Sequence, residues 1–183
     1  MKKDSQPSTQ TTALPRIIID SQVWLFTVLL AGAIFLPSII HQQAITGPLI
    51  NAILLIATIV LTPSSALMIG LIPSVVALSR GLLPLPLAPM VPFIMLSNSV
   101  YIYFFNKFYK RSFILGVVVA SSLKFALLHG VSQWVMPQLL PSKILTKASL
   151  MMSWPQLVTA LAGGIIAWLV AGVVLDKIQT NTK

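Results

Sequence analysis

The chain has 183 residues, of which 56% are hydrophobic and only 8% charged. An ordinary soluble domain is roughly 25% charged, so too few polar groups are present to cover a water-facing globule, and lipid is the solvent that fits. The net charge of +9 sits at the ends of apolar segments rather than in a patch, which speaks for membrane orientation and against nucleic-acid binding. With no cysteine, disulfides, thiolate-held iron–sulfur or zinc sites and cysteine nucleophiles are excluded, and the length allows one compact domain.

Residues 1–21 are polar, with Ser, Thr, Gln and Pro between Lys2, Lys3 and Arg16, and read as a disordered cytoplasmic tail. The apolar run begins only at Val23, later than in a signal peptide and with no convincing cleavage site after it, so the first span is expected to be retained. A spanning helix needs about 20 mainly apolar residues. On that measure the first span covers residues 23–40, ends near Pro37 and carries Trp24 as an interfacial anchor. The next apolar stretch, residues 48–79, is too long for one helix, and Thr62-Pro63-Ser64-Ser65 divides it. Pro63 suits the first turn of a new helix, where its missing N–H costs nothing. This predicts helices over 44–61 and 63–78, the latter kinked at Pro73. A fourth span covers 90–105 and ends in the aromatic cluster Tyr101, Tyr103, Phe104 and Phe105. The fifth, 113–135, is interrupted by Lys124 and His129. The last, 156–175, carries no charge and is closed by Asp176 and Lys177, after which residues 177–183 form a C-terminal tail. The expected fold is an all-α membrane protein, a compact bundle of about six transmembrane helices over residues 22–176.

An even number of spans puts both ends on one side, and the charges agree. Lys2, Lys3, Arg16, Lys107, Lys110, Arg111, Lys177 and Lys183 fall on the side of the termini, whereas Arg80, Lys143 and Lys147 fall on the other. The positive-inside rule then makes both termini cytoplasmic, in the cell membrane. The outer connections are elaborate. Residues 81–92 hold four prolines and read as a stiff, non-helical segment, and residues 136–155 form a connection of a length usual for lids or binding loops. Elaborate outside and tight inside points to a site that opens outward.

Lys124 carries the sharpest chemical signal. A lysine near the middle of a span costs about 2.5–3.5 kcal/mol to insert and needs a partner or a cavity. The three carboxylates, Asp4, Asp20 and Asp176, are terminal or interfacial. Two readings stand: a bound anion supplies the counter-charge, or the side chain snorkels or bonds to backbone carbonyls. Ser121, Lys124 and Leu128 share a helical face, with His129 turned away from it. Asn51 and Asn98 suit amide bonds between helices, the commoner role in a membrane, and His129 suits a hydrogen-bonded wall position.

Catalysis finds little support: His41 and His129 are the only histidines, and neither Gly-x-Ser-x-Gly nor a phosphate-binding glycine loop occurs. The chain is expected to be no enzyme, to carry no metal or cofactor, and to need a partner for any ATP-driven process. Gly163, Ala167 and Ala171 form one small-residue row on the last helix, and Ala160 and Gly164 a second; Thr27 and Ala31 do likewise on the first. Such rows let helices approach closely in lipid, within one chain or between chains.

The run Ile45-Thr46-Gly47-Pro48-Leu49-Ile50-Asn51-Ala52-Ile53-Leu54-Leu55, followed by Leu61-Thr62-Pro63 and a small-residue helix, resembles the start of the substrate-binding S components of energy-coupling factor (ECF) transporters. Size, six spans, cytoplasmic termini and long outer loops extend the resemblance over residues 22–176. Relatives of this kind sometimes bear the label "iron hydrogenase", for which a chain without cysteine has no chemical basis. The resemblance implies a six-helix subunit that captures a small vitamin-like solute from outside. The subunit then docks on a transmembrane coupling subunit driven by an ATPase pair. It also implies a pocket built by Asn98, Lys124, His129, Trp154 and Gln156, with Arg80 from the third–fourth connection. Docking would use the first helix, at Thr27, Ala31, Gly32 and Ala33, close to the Ala-x-x-x-Ala pattern but not identical to it. The rival expectation is a membrane structural or assembly protein that holds a partner through its small-residue faces and binds no solute.

Overall fold

The computed structural model describes residues 13–180, with side-chain surroundings over 21–172 apart from residue 147. Among the described residues every regular element is a helix. Helix α1 (Ala13–Ile39) starts ahead of Val23, because no breaker interrupts the chain between Pro15 in its first turn and Pro37 near its end. Part of the expected N-terminal tail is therefore helical, and the rest, residues 1–12, lies outside the described residues. Helix α2 (Gln43–Val60) follows, and then α3 (Pro63–Ser79). Pro63 occupies the first turn of α3 as expected, and the Thr62 hydroxyl caps the helix by accepting from the Ser65 N–H at 3.3 Å.

Helices α4 (Val91–Phe108) and α5 (Phe113–Trp134) follow, and α8 (Trp154–Thr180) closes the bundle. The last helix continues past Leu175 into the expected C-terminal tail, of which residues 181–183 lie outside the described residues. Among the described residues five helical stretches are long and apolar enough to cross a membrane; α3, also apolar, has only 17 residues. Phe35, Ile114, Ile165 and Trp168 are all more than half exposed on the outside of the bundle. Helices apolar on their outer as well as their inner faces belong in lipid, and the chain is a membrane protein on that ground.

Two connections differ from expectation. The proline-rich segment is not devoid of helix but contains a 3-10 helix, Leu85–Met90. The long connection before α8 is not an open loop: it folds into α6 (Met136–Leu139) and α7 (Ser142–Met151). The cause is burial. Leu83, Leu87, Met90, Met136, Leu140, Ala148 and Met152 join Val91 and Leu128 in a second apolar cluster, separate from the main core between the long helices. The connections at this end of the bundle are thus drawn into a packed cap.

The main core is arranged around α2, whose most extensive partner is α8. Gly163 makes that approach possible: a Cβ there would lie 2.5 Å from Asn51 Cβ and 2.8 Å from the Pro48 carbonyl oxygen. Ala167 and Ala171, on the same row, are buried within the chain. The second row serves α5, since a Cβ at Gly164 would collide with the Val117 side chain. Both rows on α8 are therefore occupied by the chain's own helices.

Candidate functional site

The face of α5 that carries Ser121, Lys124 and Leu128 points inward, and all three side chains are buried. Lys124 is 4% exposed, and its ammonium donates to Asn51 Oδ1 at 2.6 Å and to Asn98 Oδ1 at 2.8 Å. The Tyr101 ring lies beside it, with its centroid 5.1 Å from Nζ, an arrangement that attracts a cation to the ring face. The sequence raises two possibilities for this lysine, and the structure adds a third kind of partner: two neutral amide oxygens. These orient their dipoles toward the ammonium but supply no counter-charge.

Each of these groups is held by another helix. Asn98, on α4, donates its Nδ2 to the Gly70 carbonyl at 2.9 Å, in the turn of α3 that Pro73 loosens by removing an N–H from the helical ladder. Gly70 lies close to α4, since a Cβ there would come within 2.8 Å of Ile102 Cδ1, the movable end of that side chain. Tyr101, one turn along α4 from Asn98, donates its hydroxyl to the Ala160 carbonyl of α8 at 2.9 Å. Asn51 is set against Gly163 of α8 as described above. Helices α2, α3, α4, α5 and α8 meet at this one polar knot. Tyr101→Phe removes the bond to Ala160 and is expected to cost about 1 kcal/mol, read as a lowered unfolding temperature in detergent with the ring contact to Lys124 retained.

Beside the knot, toward the cap, lies a cavity of about 110 Å³. By this measure a water needs at least 10–15 Å³, so the space accommodates on the order of ten non-hydrogen atoms. Asn51, Asn98 and Lys124 form its polar floor, Gln43 and Gln156 stand at its sides, and Leu82, Leu83, Met151 and Met152 bring the cap against it. Gln156 donates its Nε2 to the Met151 carbonyl at 3.1 Å, which leaves its side-chain oxygen as an acceptor.

Of the residues singled out in the sequence, Lys124, Asn98 and Gln156 come together here. Arg80, His129 and Trp154 do not line this cavity. Arg80 caps α3 and is exposed, because the chain turns away at Gly81, whose φ of 76° suits glycine. His129 is exposed on the other face of α5, with its ring stacked on Phe125 at 5.4 Å. Trp154 is 60% exposed at the start of α8, a position suited to an interfacial anchor. On α1, Thr27 is exposed and donates to the Val23 carbonyl, whereas Ala33 is fully buried within the chain and Gly32 faces Ile53 of α2. The four expected docking residues thus do not share one outward face. Sequence reasoning left Asn51 as a generic amide and did not reach Gln43, Met151 or Met152, whose placement depends on how the cap folds. Among the described residues no three metal-ligating side chains gather.

No protein-family model, curated protein or solved structure matches this chain.

Proposed function

We propose that the chain is the solute-binding subunit of a membrane importer, of the type represented by S components of ECF transporters. In this reading it captures a small anionic, vitamin-like solute from outside and passes it on with a transmembrane coupling subunit and an ATPase pair. One observation carries it: a buried lysine with no carboxylate partner among the described residues forms the floor of a cavity. An intramembrane cation without a counter-ion marks a functional site by its cost alone. The amides that hold Lys124 fix its position without neutralising it, as a site for an exchangeable anion requires.

The topology proposed with this function has six spans. At 17 residues α3 is about 25 Å long, short for a bilayer core of about 30 Å but usable with local thinning. Lys107, Lys110 and Arg111 lie at the end opposite the cap, so the positive-inside rule turns the cavity end outward and both termini to the cytoplasm. The coupling subunit would then meet the inner end and the outward face of α1.

A second reading, a membrane assembly protein without a solute, draws on one specific observation: Lys124 already has two protein oxygens, so it can act as a stitch between helices. Native mass spectrometry of the purified full chain separates the two. Solute capture predicts a retained small molecule, absent from Lys124→Met. A chain that carries no small molecule and binds none on titration supports assembly and overturns capture; co-purification with another membrane protein is expected under both readings.

A further inference from the structure

The donors and charges around the cavity carry the solute-capture reading further, to the class of solute. The Lys124 ammonium has three N–H groups and spends two on Asn51 and Asn98, so one remains. Asn51 uses its oxygen for Lys124, which turns its amide nitrogen away from the ammonium. Among the described residues that nitrogen has no acceptor, although Asn51 is only 2% exposed and lines the cavity. One charged and one neutral donor therefore remain unspent on residues that line the same cavity.

Two donors of this kind match the two oxygens of a carboxylate. The charge selects further. Among the described residues Lys124 is the only cation lining the cavity; Arg80, at the end of α3, and Lys143, on α7, are exposed. A carboxylate carries one negative charge and is balanced. A phosphate monoester carries about −1.5 to −2 and would bring an uncompensated charge out of water, which is strongly unfavourable. Above the floor the walls are mainly apolar, with Leu82, Leu83, Ile94, Met151 and Met152, and are interrupted by polar groups such as Gln43 and Gln156. Two methionines among them allow the wall to adapt to the shape of an alkyl or ring body.

We infer that the site takes a small amphipathic monocarboxylate, with its carboxylate oxygens shared between Lys124 Nζ and Asn51 Nδ2 and its apolar body under the cap. This rests on the solute-capture reading above.

The test uses the purified full-length wild type, so it does not depend on a variant that folds. Hexanoate, hexanamide and hexyl phosphate share one apolar body and differ in the head group, and calorimetric titration at matched salt compares them. Hexanoate is expected to bind at least tenfold more tightly than either analogue. Hexanamide equal to hexanoate, or hexyl phosphate tighter than it, overturns the monocarboxylate class and leaves solute capture standing. So does a retained molecule, identified by mass, that lacks a carboxylate. Failure of all three probes to bind, together with no retained molecule, overturns capture itself. Asn51→Ala adds a second readout: the preference for hexanoate over hexanamide should fall several-fold, and an unchanged preference removes Asn51 from the carboxylate contact.

Discussion

Lys124→Met will lower solute affinity by about 100-fold while lowering stability by only about 1 kcal/mol. The affinity loss follows from removing the charged partner of a desolvated pair, worth about 2–5 kcal/mol, at 1.4 kcal/mol for each factor of ten. The small stability change is a balance. Methionine leaves the oxygens of Asn51 and Asn98 without their donor, at roughly 1–3 kcal/mol each. It also removes a cation from the middle of a span, which relieves about 2.5–3.5 kcal/mol. Titration with hexanoate and thermal unfolding in detergent measure the two effects separately. Unchanged affinity with a large loss of stability would make Lys124 a stitch between helices and nothing more. A further variant with Asn51→Leu and Asn98→Leu beside Lys124→Met removes the stranded amides. It should recover stability, as apolar replacement of a buried polar cluster often does, and should not recover binding.

Gly163→Leu will have the largest effect on folding, about 3 kcal/mol or more. Its first side-chain carbon alone would lie 2.5 Å from Asn51 Cβ, 2.8 Å from the Pro48 oxygen and 2.9 Å from the Ala52 nitrogen. Two of these three are backbone atoms and cannot rotate aside, so α2 and α8 must separate. The expected result is little folded protein after detergent extraction. Gly130, in α5, is the control: a Cβ there meets nothing within 4 Å, so Gly130→Ala should be neutral or raise stability by up to about 1 kcal/mol through helix propensity. If Gly163→Leu extracts and unfolds like the wild type, the close α2–α8 contact is wrong, and with it the position of Asn51.

The long helices were legible because their cause is local. Hydrophobic runs of spanning length, Pro63 in a first turn and the inward face of Ser121, Lys124 and Leu128 follow from composition and a 3.6-residue period. The cap was not legible. Segments with Pro84, Pro86 and Pro89, or with Pro137 and Pro141, look like loops in isolation, and only burial of Leu87, Met90, Met136 and Met152 against one another makes them ordered. The site was legible in part. Lys124 announces itself by the cost of its position, whereas the identity of its partners is a tertiary fact, since Asn51 lies 73 residues away and Asn98 lies 26. Arg80 and His129 drew notice by charge and chemistry, but sequence distance along a helix does not say on which side of a turn or face they end.

The polar knot has a mechanical side. The ammonium to which a solute would bind is also the point at which α2 and α4 are tied to α5, and through Asn98 and Tyr101 the tie reaches α3 and α8. An anion held by the third Lys124 N–H would pull on the same ammonium that bonds both amides, so filling the cavity would load a junction of five helices at once. Those helices run on to the opposite end of the bundle. A partner that touches only that far end could therefore sense whether the cavity is full without ever meeting what fills it.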